Sequence, residues 1–455
     1  MDVLSPSTPA DLVLTGRFEP ADERRYRHVS FEVPPGVLQL HVRYDYTDRI
    51  PSDPQLRGGN TLDIGLFDER GIESGSPGFR GWSGSNKLAF TVAEEWATPP
   101  YRSGAIESGT WQVLLGPYKV SPIGLDYRVE LWFNPDLPIG ERPSPLPPPL
   151  SDRGKLSPPS LEPGWLRGDL HCHTLASDGD SWLIDVLAAA HEAGLDFLGV
   201  TDHNAANLPV APDEPGLPIL IPGIEVTTYG GHWNVWGASR WFDFRLPDGE
   251  AVAREMAAAA AAGGFVSVNH PRPFGPPWEY GVDLGYHAVE VWNGPWQFLN
   301  SACLAHWEAH LRRGQRVVAL GGSDTHFLQG EASGPLPRPR LGQPTVWVHV
   351  DGEPSAGAIL DGLRQGRCFI STSPAGPQLY LTRTEKGVRL RAGHAAGHAA
   401  LLYSDAGCIG AYPIRVGDWT LPLPFPPRAA YLRAHIVDAA GNVLALTNPL
   451  WREEV

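Results

Sequence analysis

The chain has 455 residues and a formal net charge of −15 at pH 7; 42% of its residues are hydrophobic and 19% are charged. This length predicts about two or three domains, and the composition excludes a disordered protein. The negative charge argues against a large nucleic-acid duplex as partner, because such partners select basic surfaces. No stretch approaches the roughly 18 apolar residues of a membrane span, and the first residues lack a signal-peptide pattern, so we expect a cytoplasmic protein.

Residues 1–134 show the alternation of apolar and polar residues that is typical of β-strands. The apolar residues that share a face are Leu38, Leu40, Val42, Tyr44 and Tyr46 in LQLHVRYDY, and Tyr127, Val129, Leu131 and Phe133 in DYRVELWF. Turn-rich stretches separate these strands, which predicts an N-terminal antiparallel β-sandwich. Residues 135–163 are rich in proline, which disfavours helix and central strand, so they are predicted to form a linker.

Residues 164–371 alternate between short apolar strands and helical stretches. Helices are predicted in SWLIDVLAAAHEAG, AVAREMAAAAAAGG and NSACLAHWEAHLRRGQ, and strands in LDFLGV, LPILIPGI, HWNVWGA, GFVSVN, HAVEVWN and RVVALGG. This alternation predicts a parallel α/β sheet, and the number of units favours a barrel over an open sheet. Residues 372–455 return to strands and turns, which predicts a small C-terminal β domain, also sandwich-like.

The stretch GDLHCHTLASDGD at the start of the central region places two histidines on either side of one cysteine. Side chains alternate along a strand, so His171 and His173 are expected to point the same way, with Cys172 on the opposite face. Neutral imidazole is a ligand for zinc, iron and manganese. The four cysteines are far apart and form no CxxC pair, which argues against a thiolate site or a disulfide framework. Taken alone, such a histidine pair more often lies in a loop that binds no metal, so the rest of the chain decides between the two interpretations.

Further candidate ligands follow the predicted strands. They are Asp178 in the first loop, Asp202 and His203 in TDHN, Glu225 in PGIEVTT, His232 in GGHWNVWG, His270 in NHPRP, and Asp324 and His326 in GSDTH. Each lies at or near the carboxyl end of a predicted strand, and in a parallel barrel those ends open on one face. So many nitrogen and oxygen ligands exceed the needs of one zinc ion, which predicts a cluster of two or three metal ions.

Residues near these motifs are candidates for substrate contact. Arg272 follows His270 and either binds a phosphate group through its planar guanidinium group or is a structural arginine. Asn204 and Asn293 are candidate polar contacts. The tryptophans Trp236, Trp278, Trp292 and Trp296 are candidates for the wall of an apolar pocket.

The ordered set HCH followed by Asp178, then TDH, GIE, NHP and SDTH, resembles the polymerase-and-histidinol-phosphatase (PHP) superfamily over about residues 164–371. The resemblance implies a distorted seven-stranded α/β barrel, flanked here by the two β domains. The stretches RGWSGS, LGQP before a helix ending in LRQGRCFIS, and LTNPLW resemble the CehA/McbA branch of this superfamily.

The resemblance also implies a set of metal ligands. One metal would be held by His171, His173, Glu225 and Asp324, a second by Glu225, His232 and His270, and a third by Asp178, His203 and His326. The residues expected to be catalytic are His171, His173, Glu225, His270, Asp324 and His326. Asp202 is not a ligand in this pattern and is expected to orient the ligands around it.

Clustered divalent ions, whether zinc, manganese or iron, activate water and stabilise negative charge, so we expect a hydrolase that uses metal-bound hydroxide on a small-molecule ester. The superfamily resemblance implies a phosphodiesterase or phosphatase. The CehA/McbA resemblance implies hydrolysis of carbamates, aryl esters or related amides instead. A third interpretation is a metal-containing binding module without catalysis. No membrane partner is expected, and a homo-oligomer remains open.

Overall fold

The computed structural model describes residues 6–137, 158–212, 215–273, 275–282, 284–329 and 337–452. These residues form a mixed, sheet-rich fold with four α-helices and twenty-five strands. Most of the predicted proline-rich linker, residues 138–157, lies outside the described residues.

The N-terminal part contains two antiparallel sheets of four strands each. Its strands are β1 (Leu12–Phe18), β2 (Arg27–Val33), β3 (Gln39–Tyr46), β4 (Thr61–Phe67), β5 (Phe79–Gly84), β6 (Ala89–Ala93), β7 (Gly109–Lys119) and β8 (Leu125–Phe133), and a 3-10 helix spans Pro20–Asp22. The strand orders are β1-β8-β3-β6 and β2-β7-β4-β5. The predicted alternation in β3 is confirmed for Leu40, Val42 and Tyr44, which are buried.

Leu38 was expected on the same buried face, and this prediction is wrong because its side chain is 69% exposed. The β-ladder begins only at Gln39. The backbone N–H groups of Leu38 and Gln39 both donate to Asn134 Oδ1, at 2.6 and 3.1 Å, where β3 begins beside the end of β8. Leu38 therefore precedes the region in which alternation determines burial.

The central part contains seven strands and three helices. They are β9 (Trp165–Asp169), α1 (Leu183–Glu192), β10 (Phe197–Val200), β11 (Ile219–Thr228), β12 (Gly231–Trp236), α2 (Gly249–Ala261), β13 (Phe265–Val268), β14 (Ala288–Asn293), α3 (Asn300–Arg312) and β15 (Val318–Gly322). Local sequence explains the ends of α2: the Asp248 side chain accepts a hydrogen bond from Ala251 N, and Gly263 follows the helix with φ +88°. Both are standard helix-capping features.

Among these seven strands, the predicted parallel arrangement is wrong at β12. Strands β9, β10 and β11 are parallel, as are β13, β14 and β15, but β12 runs antiparallel to both of its neighbours. Only Tyr229 and Gly230 separate β11 from β12. A parallel connection needs a crossover of a dozen or more residues, so this short turn forces a hairpin.

The seven central strands follow chain order in the sheet, but their hydrogen-bonded path does not close. The sheet continues from β9 to β16 (Thr345–His349) and β17 (Cys368–Ser371), and α4 (Ala356–Arg364) lies between these two strands in the chain. The predicted parallel arrangement is wrong here as well, because β16 is antiparallel to both β9 and β17. Beyond the ends of β9 and β15, Cys172 and Thr325 form an isolated parallel bridge. This bridge brings the first and seventh central strands together at their carboxyl ends.

The C-terminal part extends the same sheet. Its strands are β18 (Gln378–Thr384), β19 (Gly387–Gly393), β20 (Ala399–Ser404), β21 (Gly407–Pro413), β22 (Asp418–Leu423), β23 (Tyr431–Val437), β24 (Val443–Thr447) and β25 (Leu450–Trp451). Strands β17, β24, β23, β20 and β21 continue the large sheet, with β25 paired to β23, while β18, β19 and β22 form a separate sheet.

One N-terminal sheet, β2-β7-β4-β5, shares a hydrophobic core with the central region. Phe79 packs against Trp241 with ring centroids 4.6 Å apart, and Trp82 packs against Phe244 at 5.6 Å. Burying each such side chain contributes roughly 1.5–3 kcal/mol. One face of the N-terminal part is therefore held firmly against the central region. Across the described chain, every helix falls short of the length and apolar character that crossing a membrane requires.

Candidate metal centre

All nine predicted ligands come together at one edge of the central sheet. Most of them follow the carboxyl ends of parallel strands, as predicted, but two do not. Glu225 lies within β11, and His232 is the second residue of β12. Because β12 is antiparallel, its beginning lies at the same edge as the carboxyl ends of its neighbours, and His232 pairs with Thr227 beside Glu225.

The Glu225 carboxylate is the centre of this group. Its Oε2 atom lies 3.3 Å from His171 Nε2, 3.4 Å from His173 Nε2 and 2.8 Å from His203 Nδ1. The Glu225 side chain is buried, so these groups face it without intervening solvent. One carboxylate oxygen thus faces three imidazoles.

The other oxygen of Glu225 faces a second set of residues. Oε1 lies 3.1 Å from His232 Nδ1 and 3.4 Å from His270 Nε2. It also accepts a hydrogen bond of 2.8 Å from Asn269 Nδ2. A carboxylate whose two oxygens face two different imidazole sets has the arrangement needed to bridge two metal ions.

Asp324 completes the first set. Its Oδ1 atom lies 3.1 Å from His173 Nε2 and 3.4 Å from His171 Nε2. Ligands at zinc distances of about 2.0–2.1 Å in a tetrahedral site lie about 3.4 Å from one another. The separations among His171, His173, Glu225 and Asp324 therefore match the spacing of ligands around one small cation.

A third group forms at the outer side of the site. Asp178 Oδ1 lies 3.3 Å from His326 Nε2 and 3.7 Å from His203 Nε2. With His173, these three residues each place one ligand atom within 4.8 Å of the others. Asp178 and His326 are less buried than the ligands around Glu225, so this group lies closer to solvent.

Unpaired buried atoms test whether a metal fits these residues. Within the described part of the chain, His171 Nε2, Glu225 Oε2 and Asp178 Oδ1 are buried without a hydrogen-bond partner. Leaving such an atom unsatisfied costs about 1–3 kcal/mol. All three point into the ligand groups, where divalent cations would satisfy them, so the residues present fit a metal cluster.

The electrostatics of the site keep its carboxylates charged. Burial raises the pKa of Glu225, but the imidazoles of His171, His203 and His232 more than offset it, so the net pKa is well below its usual value. Burial likewise lowers the pKa of His203, while Glu225 and Asp178 raise it to about 9. A metal ion binding here would have to displace a proton from His203.

Glu290 is a residue of the candidate site that the sequence interpretation missed. Its Oε1 atom lies 2.9 Å from His171 Nδ1, and its Oε2 accepts hydrogen bonds from His270 N at 3.2 Å and Asn293 Nδ2 at 3.0 Å. A carboxylate that is hydrogen-bonded to the ring nitrogen facing away from the metal fixes the orientation of a ligand imidazole and its tautomer. The signal was present: Glu290 is an acidic residue within the otherwise apolar strand HAVEVWN.

Asp202 orients the loop that carries Asp178. It accepts hydrogen bonds from Thr174 N at 2.7 Å, Thr174 Oγ1 at 2.8 Å and Ser177 Oγ at 2.7 Å. Its oxygens are thus used by the protein, and it belongs to none of the candidate ligand groups.

The candidate substrate contacts Arg272 and Asn204 are engaged elsewhere. Arg272 Nη1 donates to Asn293 O at 3.0 Å and Asn300 Oδ1 at 2.8 Å, and Nη2 donates to Asn293 Oδ1 at 2.6 Å. Asn204 pairs with the main chain of Thr227 through both its oxygen and its nitrogen. These contacts favour the structural interpretation of Arg272.

Asn293 connects that arginine to the ligands. Its Nδ2 atom donates to Asp324 Oδ2 at 3.3 Å as well as to Glu290. Arg272 and Asn293 therefore position Asp324, a candidate ligand, through consecutive hydrogen bonds.

A cleft of about 750 Å³ opens over the candidate metal ligands. Of the four tryptophans predicted to wall it, none is among its lining residues, and Trp278 instead donates to Gly281 O at 2.6 Å. The opposite wall comes from the N-terminal part and includes Asp63, Trp82 and Tyr118. No sequence signal linked these residues to the motifs, because domain packing alone brings them there.

Comparisons with known proteins give little further information. No family model and no curated protein matches the chain. Among solved structures, it is similar to a two-domain protein from Bacteroides vulgatus that contains a predicted PHP-like metal-dependent phosphoesterase. The identity is 19%, the match covers 68% of this chain and 100% of that chain, and the TM-score is 0.34.

Proposed function

We propose that the protein is a metal-dependent hydrolase that cleaves an ester bond of a small molecule at a cluster of two or three metal ions. The observation that carries this proposal is the buried Glu225 carboxylate, whose two oxygens face separate imidazole sets at 2.8–3.4 Å. Such a cluster beneath an open cleft is typical of a catalytic site, since a structural site is closed around four ligands.

The sequence motifs support membership of the PHP superfamily and, through RGWSGS, LGQP and LTNPLW, its CehA/McbA branch. The distorted seven-stranded barrel belongs to the same proposal. Two observations support it: β9 to β15 are neighbours in chain order, and the chain beyond the first and seventh strands is bridged at Cys172 and Thr325.

The candidate ligands divide into three groups, each of which would hold one metal ion. One metal would be held by His171, His173, Glu225 and Asp324, a second by Glu225, His232 and His270, and a third by Asp178, His203 and His326. Zinc, manganese or iron bound there would lower the pKa of water and stabilise the negative charge that develops on the attacked ester.

The chain's own residues prepare the site for this chemistry. Glu290 at 2.9 Å from His171 Nδ1 favours the tautomer whose Nε2 lone pair faces the ligand group. Asn293 and Asn269 orient the carboxylates of Asp324 and Glu225 through hydrogen bonds of 3.3 and 2.8 Å. The ligand geometry is thus established before a substrate arrives, which lowers the cost of reorganisation during reaction.

The bond that we propose is a phosphoester, cleaved as by a phosphodiesterase or phosphatase. One observation favours the alternative, a carbamate, aryl ester or amide. Arg272 is the one arginine or lysine among the described residues that line the cleft. Its guanidinium group is hydrogen-bonded to Asn293 and Asn300. Charge stabilisation for a phosphate would therefore depend on the metal cluster.

The test compares initial rates on bis(p-nitrophenyl) phosphate and 1-naphthyl N-methylcarbamate, using protein reconstituted separately with manganese and zinc. His203→Ala should abolish turnover, while His191→Ala, on the surface of α1, is the matched control and should not. Turnover of the phosphodiester supports the phosphoesterase, and turnover of the carbamate alone supports the alternative. If neither is cleaved by fully loaded protein, the binding-module interpretation gains support.

A further inference from the structure

The N-terminal part forms a wall of the metal cleft through one face of the sheet β2-β7-β4-β5. In this sheet Asp63 on β4 lies opposite Gly116 on β7, and Gly65 lies opposite Trp82 on β5. Directly opposed residues, and residues two apart on a strand, share a face. Asp63 and Trp82 therefore lie on the same face, and both line the cleft.

Asp63 is a buried carboxyl group that the proposed chemistry does not use. Its side chain is 5% exposed, and it accepts a hydrogen bond of 2.8 Å from Tyr229 Oη. Burial raises the pKa of Asp63 to about 7, against the lowering effect of that hydrogen bond. Within the described residues no basic side chain forms an ion pair with it.

The basic residues along this wall form hydrogen bonds or ion pairs with groups other than Asp63. Arg24, which donates to the Tyr229 carbonyl, forms an ion pair of 2.9 Å with Glu279. Lys119 Nζ donates to the carbonyl oxygens of Pro51 and Asp53. A buried carboxylate without a counter-ion is costly, so a cation supplied by a ligand would relieve that cost.

Aromatic rings lie beside this carboxylate. Tyr229 stacks with Tyr118 at 5.2 Å and with Tyr26 at 4.9 Å between ring centroids. Tyr229 reaches Asp63 because residue 116 is glycine: a Cβ atom there would lie 2.1 Å from Tyr229 Oη. Lys119 Nζ lies 5.4 Å from the centroid of the Tyr118 ring, so one ammonium group is already held beside these rings. Asp63 supplies the negative charge that a further ammonium group would meet.

We propose that Asp63, Trp82, Tyr118 and Tyr229 form a subsite that binds a positively charged ammonium group of the substrate. This inference rests on the proposed function and specifies its substrate class: an elongated ester with a cationic end. Strand β11 connects the two sites, and from Glu225 to Thr228, the residue before Tyr229, extended chain spans about 10 Å. The cationic end would thus lie roughly that far from the scissile bond.

The experiment uses two phosphodiesters that differ in one atom. p-Nitrophenyl 6-(trimethylammonio)hexyl phosphate carries a quaternary ammonium group at the far end of a six-carbon chain that is long enough to span the two sites, and p-nitrophenyl 7,7-dimethyloctyl phosphate has a carbon atom in place of that nitrogen. At pH 8, where Asp63 with its pKa of about 7 is charged, wild-type metal-loaded protein should show a kcat/KM at least about tenfold higher for the charged ester.

Asp63→Asn, which keeps the shape of the side chain, should bring the ratio of the two kcat/KM values to within about twofold of one. Asp53→Asn is the matched control because it removes an exposed charge from the rim of the same cleft, and the ratio should stay near its wild-type value. If Asp63→Asn does not fold, Tyr118→Leu, at a half-buried position, should lower the ratio severalfold. Equal kcat/KM values in the wild type, or an unchanged ratio in Asp63→Asn, would overturn the proposal.

A binding measurement tests the subsite independently of hydrolysis. Titration calorimetry would compare 6-(trimethylammonio)hexyl phosphate with 7,7-dimethyloctyl phosphate on the metal-loaded wild type and on Asp63→Asn. Absence of turnover on both esters together with tighter, Asp63-dependent binding of the ammonium compound would reject the phosphoesterase and support the subsite. Equal affinities would reject the subsite, whatever the turnover.

Discussion

Two buried carboxylates in one cleft, Glu225 and Asp63, have opposite environments. Glu225 lies on the central sheet among imidazoles, which hold its pKa well below the usual range despite burial. Asp63 lies on the N-terminal wall with one hydroxyl donor, and burial raises its pKa to about 7. Burial is nearly equal in the two cases, so the surrounding residues determine the difference.

The comparison indicates that the two walls of the cleft have different tasks. On the central wall, imidazoles and carboxylates form groups that could hold metal ions. On the N-terminal wall, the Asp63 carboxyl group has no ion-pair partner among the described residues, as expected where a ligand brings the positive charge. In our proposals, hydrolysis and substrate preference therefore depend on separate parts of the chain.

The largest effect is expected from Glu225→Gln. This change removes the charge that both imidazole sets share, so bound metal, measured by mass spectrometry after dialysis, should fall by at least one equivalent. Turnover should fall by more than the roughly 10–100-fold typical of residues that only orient a ligand. Full metal content in the variant would show that Glu225 does not bridge the cluster. Glu279→Gln, at a solvent-accessible ion pair, is the control.

A smaller loss is expected from Glu290→Gln, which weakens the orientation of His171 without removing a ligand. Metal affinity, measured by competition with a chelator, should drop about 10–100-fold. Wild-type affinity in this variant would mean that the 2.9 Å contact to His171 Nδ1 has no role in holding the metal.

Arg272→Lys separates the two interpretations of this arginine. Lysine keeps the charge but cannot bond Asn293 and Asn300 together, so the positioning of Asp324 should suffer. We expect kcat to fall about tenfold while KM stays within about twofold. A large rise in KM with an unchanged kcat would show instead that Arg272 holds the substrate.

The smallest effect on chemistry, visible in stability, is expected for Asp63 in the absence of ligand. Its folded-state pKa of about 7 is above the unfolded value, so the folded protein binds more protons between about pH 4 and pH 7. Wild-type unfolding free energy should therefore fall, relative to Asp63→Asn, as pH rises through that window. The difference, by chemical denaturation, should reach at most about 4 kcal/mol. Parallel pH profiles would contradict the raised pKa.

Local patterns predicted most of the central wall. His171, His203, His270 and Asp324 follow apolar strands, and strand order alone brings such ends to one edge. The antiparallel β12 escaped prediction because the alternation of strands and helices across the region favours parallel strands, whereas only two residues connect β11 to β12. Glu290 could have been found as a charge inside an apolar strand.

The N-terminal wall could not be predicted in the same way. Asp63, Trp82 and Tyr118 lie more than 100 residues from Glu225 in the chain and carry no motif. They reach the cleft only because Phe79, Trp82 and Leu114 share a hydrophobic core with the central region. Packing between domains depends on the shapes of two surfaces, which periodicity within either one does not encode.

The most direct measurement of the metal centre is anomalous X-ray scattering from crystals loaded with manganese or zinc. Two peaks are expected, one on each side of the Glu225 carboxylate and about 3.5–4 Å apart, as in two-metal sites. A third, weaker peak is expected beside Asp178 and His326. A map from active protein with no peak at Glu225, or with its metal bound by other residues, would contradict the central claim that this carboxylate bridges a catalytic cluster.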